Sequence, residues 1–102
     1  MTAPITVIAQ IKLAKGKTEK DLLTASDAFE VGFASKQPGI LRRELVRKPD
    51  GTYLDVVKFR SANDMDVVIE KEKTSEICHA FFSVMDMTDE EFEVCQSLKT
   101  YE

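Results

Sequence analysis

Apolar and polar positions alternate from Pro4 to Ala14, which predicts a strand. Ile5, Val7, Ala9, Ile11 and Leu13 share one parity, and Thr6, Ile8, Gln10 and Lys12 the other. The period then lengthens. Leu22, Ser26, Phe29 and Phe33, joined by Leu23 and Ala25, fall at helical spacing and predict a helix running to about Lys36. Thr18 is its expected N-cap, with Asp21 placed to close a capping box, and Gln37-Pro38-Gly39 its stop. Two strand-like runs, from Ile40 to Lys48 and from Thr52 to Arg60, flank Lys48-Pro49-Asp50-Gly51. Pro pre-sets the first turn dihedral, Asp bonds to nearby backbone and Gly accepts a positive φ, so the pair reads as a β-hairpin. Ser61 offers a second N-cap, with Asp64 three residues on, for a short helix that buries Met65, Val68 and Ile69. Ile77, Cys78, Phe81, Phe82 and Met85 predict another helix between Thr74 and about Met85. A polar linker from Met87 to Glu91 leads to a last alternating run, Phe92 to Leu98.

The order strand, helix, strand, strand, helices, strand is the ferredoxin-like βαββαβ arrangement, an α+β fold with a four-stranded antiparallel sheet and helices on one face. One domain is expected across residues 1–102. The hairpin adds a condition. With a three-residue loop, Leu41, Arg43, Leu45 and Arg47 share a face with Tyr53, Asp55, Val57 and Phe59. Arg42, Glu44, Val46, Leu54, Val56 and Lys58 take the other. Both faces mix apolar and charged residues, whereas a sheet with one solvated face should be polarised. Both faces are therefore expected to be covered, one by helices and one by a second copy of the sheet.

Composition narrows the partners. A net charge of −4 argues against nucleic acid as the main partner. No apolar run approaches the ~20 residues that span a bilayer, so no membrane partner is expected. Met1-Thr2-Ala3-Pro4 opens no secretion signal. Cys78 and Cys95 fit no metal or CxxC spacing and read as reduced thiols of a cytoplasmic protein. No glycine-rich phosphate loop, dinucleotide fingerprint or clustered metal ligands appear, so no cofactor and no metal are expected.

The chain resembles the antibiotic biosynthesis monooxygenase-like domains over essentially its whole length. Three short motifs carry the resemblance: Pro38-Gly39 at the helix exit, Phe59-Arg60-Ser61 at the end of the third strand, and His79-Ala80-Phe81-Phe82 on the last helix. The resemblance implies a dimeric α+β barrel in which two sheets pack face to face. Its members include cofactor-independent monooxygenases of polycyclic phenols or quinols, haem-degrading enzymes and domains without a known reaction, and fold alone does not choose among them. Phe59 stands where the family usually has Trp, and the chain has no Trp at all. Haem-degrading relatives use an Asn, a Trp and a His together. Only the His has a counterpart here, with Val68 near the Trp position and no Asn in the first strand.

Within that frame His79, the only histidine, is the candidate general base toward a phenolic or enolic proton. The competing reading is a histidine at the edge of an apolar stripe that packs or faces water. Arg43 and Asp55 are candidates to hold and orient an anionic substrate oxygen in a pocket lined by Leu41, Leu45, Phe59 and Phe82. The plainer reading is a structural ion pair, since buried charges need partners. Tyr53 is a candidate hydrogen-bond donor or simple packing, and Cys78 reads as core. The expectation is a homodimer that oxygenates a small aromatic or quinone-like molecule. A non-enzymatic binding or stress-related module, and an isomerase or lyase on the same fold, stand beside it.

Overall fold

The computed structural model describes residues 3–88 and 91–101. Its elements are β1 (Ile5–Ile11), α1 (Glu19–Gly32), a 3-10 turn (Ala34–Lys36), β2 (Ile40–Arg47), β3 (Tyr53–Phe59), α2 (Ala62–Glu72), α3 (Glu76–Phe82) and β4 (Phe92–Gln96). The four strands form one antiparallel sheet in the order β2-β3-β1-β4. This is the expected ferredoxin-like arrangement. Of the linker foreseen between Met87 and Glu91, Asp89 and Glu90 lie outside the described residues, as do Met1 and Thr2.

Local chemistry sets the boundaries. The Thr18 hydroxyl accepts from the Asp21 amide at 3.3 Å, and an Asp21 carboxylate oxygen accepts from the Thr18 amide at 2.9 Å, a complete capping box. α1 stops four residues earlier than Lys36, since Phe33 leaves helical dihedrals (φ −134°, ψ −62°) and the chain tightens into the 3-10 turn. Ser61 caps α2 by accepting from the Asp64 amide at 3.1 Å. Ser75 caps α3 by accepting from the Cys78 amide at 3.3 Å. The hairpin closes as its sequence predicts. The Gly51 amide donates to the Lys48 carbonyl at 3.0 Å, Gly51 sits at φ +88°, and Asp50 Oδ1 accepts from the Thr52 amide at 2.9 Å.

The hairpin departs from expectation at its far end. A β-bulge between Ile40 and Arg42 interrupts the register. Ile40, rather than Leu41, therefore turns toward the helices, while Leu41 is more than half exposed. Beyond the bulge the parity holds: Arg43, Leu45 and Arg47 pair with Val57, Asp55 and Tyr53. The core lies between this face of the sheet and α1 and α3, around Val7, Ile11, Leu22, Phe29, Phe59, Cys78 and Phe81.

Pro38-Gly39 and Phe59-Arg60-Ser61, apart in sequence, meet at one corner. The Arg60 amide donates to the Gly39 carbonyl at 2.8 Å, and the Arg60 guanidinium holds Asp64 through two bonds of 2.9 and 2.8 Å. Those bonds, with a third from the Ser61 hydroxyl, hold the Asp64 carboxyl at about 2, well below the usual carboxylate range. Gly39 is needed there for space. A Cβ on it would stand 2.5 Å from the Asp64 Cβ and 2.8 Å from its Cγ. Gly39→Ala must therefore push α2 off the sheet, and is expected to lower stability by about 1–3 kcal/mol, the usual range for overpacking. Thermal unfolding measures it, and an unchanged melting temperature would show that α2 shifts freely.

Candidate functional site

Between the sheet and the helices lies a cavity of about 170 Å³. Its floor is Val7, Ala9 and Ile11 of β1 with Val57 and Phe59 of β3, and its roof is Phe29, Phe81 and Phe82. Met65, Val68, Ile69 and Glu72 of α2 form one side, and Met85, Met87 and Phe92 the other. A cavity of roughly 150 Å³ with apolar walls accommodates benzene, so this one is of single-ring size.

The lining is mostly apolar; its polar members are Gln10, Glu72 and one paired unit, Arg43 with Asp55. Arg43 enters from β2 and Asp55 from β3, two strands whose alternation turns both side chains toward the helices. The Arg43 side chain is 7% exposed and that of Asp55 11%. Arg43 Nε donates to Asp55 Oδ1 at 3.2 Å, Nη1 to Glu30 Oε1 at 3.0 Å and Nη2 to the Ser26 hydroxyl at 2.9 Å. The guanidinium carbon also lies 4.9 Å from the centre of the Phe29 ring and 5.5 Å from that of Phe81. All three nitrogens of Arg43 thus donate to protein oxygens. Burial pushes the Asp55 carboxyl above its ordinary value, against the opposing pull of Arg43.

The structure brings together four of the six residues that the sequence singles out. Arg43, Asp55, Phe59 and Phe82 all line the cavity. Tyr53 does not. It lies at the other end of β3, where its hydroxyl donates to Glu19 Oε1 at 3.1 Å beside the Arg47–Glu19 ion pair of 2.9 Å. His79 also stands outside. It is exposed on α3, and its ring Nε2 donates to the Lys73 carbonyl at 3.0 Å. Neighbouring residues on a helix point about 100° apart, and α3 turns Cys78 and Phe81 to the core, which leaves His79 facing away. Leu41 and Leu45 are absent from the lining, where Ile40 takes the place expected of Leu41. Among the described residues, no group of three or more His, Cys, Asp or Glu side chains is arranged to hold a metal ion.

Sequence reasoning overlooked Ser26 and Glu30. A signal was present: Ser26 is a polar residue inside the apolar stripe of α1, and Glu30 follows it by four, on the same face. A hydroxyl in such a stripe needs a buried partner, which here is Arg43.

No family model matches the sequence, and no curated protein matches it. Solved structures do resemble the fold. The chain is similar to SnoaB, a cofactor-independent oxygenase from Streptomyces nogalater, at 14% identity over 96% of this chain and 96% of that one, with a TM-score of 0.75. It is similar to a candidate antibiotic biosynthesis monooxygenase from Caulobacter crescentus, at 15% identity over 96% and 92% of the two chains, TM-score 0.73. A candidate monooxygenase from Shewanella loihica is 20% identical over 98% and 99%, TM-score 0.67. The chain has the fold of the antibiotic biosynthesis monooxygenase-like proteins, and at these identities the likeness is one of fold.

The buried ion pair carries a direct test. Arg43→Leu leaves Asp55 without its cation, which is expected to destabilise by about 3–5 kcal/mol. The double substitution Arg43→Leu/Asp55→Leu removes both charges and is expected to recover most of that loss. Chemical denaturation of the two variants decides. A double variant no more stable than the single one would mean that the pair is not what the neighbouring elements depend on.

Proposed function

We propose that the chain is a single-domain cofactor-independent monooxygenase of a small aromatic or quinone-like molecule held between the sheet and the helices. The observation that carries this reading is the cavity itself, ring-sized and mostly apolar, with Arg43 and Asp55 paired in its wall. The fold likeness to a cofactor-independent oxygenase supports it. The chemistry balances without an external reductant. A phenol with a free ring C–H reacts with molecular oxygen to give a quinone and water. One oxygen atom becomes the new carbonyl, the other leaves as water with the two hydrogens lost by the substrate, and the substrate supplies all four electrons.

A second reading, a binding module without turnover, draws on the position of His79, exposed on α3 and away from the cavity. The two separate in one experiment. A thermal-shift screen of phenols and quinones is expected to find ligands that stabilise the protein, by about 2.7 kcal/mol at a hundredfold excess over Kd. His79→Ala is expected to leave that stabilisation unchanged. Hits that also consume oxygen support the monooxygenase, and hits that never do favour the binding module.

The proposal extends to assembly. Two copies meet through the sheet face away from the helices, where Ile8, Val46, Leu54 and Val56 are only half covered in one chain, among Arg42, Glu44 and Lys58. Burying this apolar strip in a second copy is favourable in proportion to its area. We place the dimer in the cytoplasm, a reducing compartment where the unpaired Cys78 and Cys95 persist as thiols. No helix among the described residues is long and apolar enough to cross a membrane. Light scattering in solution is expected to give twice the chain mass, and Val56→Glu to reduce it to that of one chain. A monomeric wild type at micromolar concentration overturns the assembly.

A further inference from the structure

We propose that Asp55, rather than Arg43 or His79, is the group that meets the ligand: the cavity takes a ring bearing an O–H or N–H, which donates to Asp55 Oδ2, and it disfavours anions. The inference rests on the cavity being the ligand site and adds which group reads the ligand.

Three observations lead there. First, Arg43 is largely engaged. Each of its nitrogens donates to a protein oxygen, which takes three of its five N–H groups, and the rings of Phe29 and Phe81 lie against it. An incoming anion would meet two N–H groups of a cation whose charge is already shared with two carboxylates. Second, Asp55 is only half engaged. Oδ1 takes the bond from Arg43, while Oδ2 accepts from no described residue. No described side-chain nitrogen or oxygen is both sealed off and unpaired, so Oδ2 keeps some exposure, and Asp55 is a lining residue of the cavity. Third, the charge balance is negative. Arg43 from β2 stands against two carboxylates, Asp55 from β3 and Glu30 from α1, one cation against two anions. Glu72 from α2 is the other ionisable residue of the lining. The lining residues of β1, α3 and β4 are uncharged. Such a wall attracts donors and repels anions.

The same oxygen can move a proton. A phenolic O–H that donates to Oδ2 passes its proton along that bond, the O–H electron pair stays on the ring oxygen, and the product pair is a neutral Asp55 and a phenolate. Burial that lifts the Asp55 carboxyl above its ordinary range makes this transfer less uphill.

The test titrates phenol, anisole and benzoate separately into the full chain, followed by calorimetry or amide chemical shifts. Wild type and Asp55→Asn are compared. The amide keeps the shape and the acceptor for Arg43, but turns a donor toward the cavity. Phenol loses its acceptor, whereas anisole, which has no donor, does not. The phenol-to-anisole affinity ratio is expected to fall about tenfold or more, the effect of one hydrogen bond to a charged group. In wild type, lowering the pH through the titration of Asp55 is expected to weaken phenol and leave anisole unchanged. This second measurement serves if Asp55→Asn does not fold. A ratio that neither the substitution nor pH alters overturns the role of Asp55 while leaving the cavity as a ligand site. Benzoate binding tighter than phenol overturns it in favour of Arg43 as an anion holder. Failure of all three to bind overturns both the inference and the ligand site on which it rests.

Discussion

The structure hangs on one buried cation. Arg43 ties β2 to β3 through Asp55, and both strands to α1 through Glu30 and Ser26, while its guanidinium lies over rings from α1 and α3. An arginine with its side chain 7% exposed is tolerable only when its donors are met, because a desolvated charge is penalised unless paired. A planar guanidinium can meet that condition on three sides at once, which a lysine cannot. The aromatic residues of α1 and α3 then pack around a fixed point, with the Phe29 and Phe81 ring centres 4.6 Å apart.

That arrangement also explains why a cavity persists beside a well-packed core. Leu22 and Cys78 are fully buried on the α1–α3 side of the sheet. The α2 side is closed differently. Met65 of α2 lines the cavity there, with Met85 and Met87 on the side facing it, and unbranched thioethers conform to irregular gaps rather than fill them rigidly. The corner where Gly39 touches Asp64 holds the start of α2 against the sheet, and the helix leaves that corner over the cavity.

Much of this was legible in the residues. Alternation placed the first and last strands and the Lys48-Pro49-Asp50-Gly51 turn the two between them, Thr18 and Ser61 marked two helix starts, and the parity of the hairpin put Arg43 and Asp55 on one face. What escaped had physical causes. The bulge that exchanges Ile40 for Leu41 is a one-residue slip with no signature of its own in the sequence, although it changes which side chain enters the core. The orientation of α3 was open to a shift of one residue, which separates Cys78 in the core from His79 in water. Tyr53 shares a face with Asp55, but its hydroxyl is drawn to Glu19 at the start of α1, beside Arg47 and away from the cavity. The sequence showed which face a side chain takes; the distance along that face became clear only once the helices were in place.

The strand order has a consequence for how the chain folds. β2 and β3 are joined by a tight turn, so their pairing closes almost no loop. β4 pairs with β1 at the opposite end of the chain, where the hydroxyls of Thr6 and Ser97, 91 residues apart, lie 2.7 Å from each other. Loop-closure entropy opposes such a contact until the intervening elements are compact. The hairpin, with Arg43 and Asp55 on it, is thus the natural early unit and the edge strand the last to dock. Because β4 brings Phe92 to the cavity rim, the site is complete only when the slowest pairing has formed.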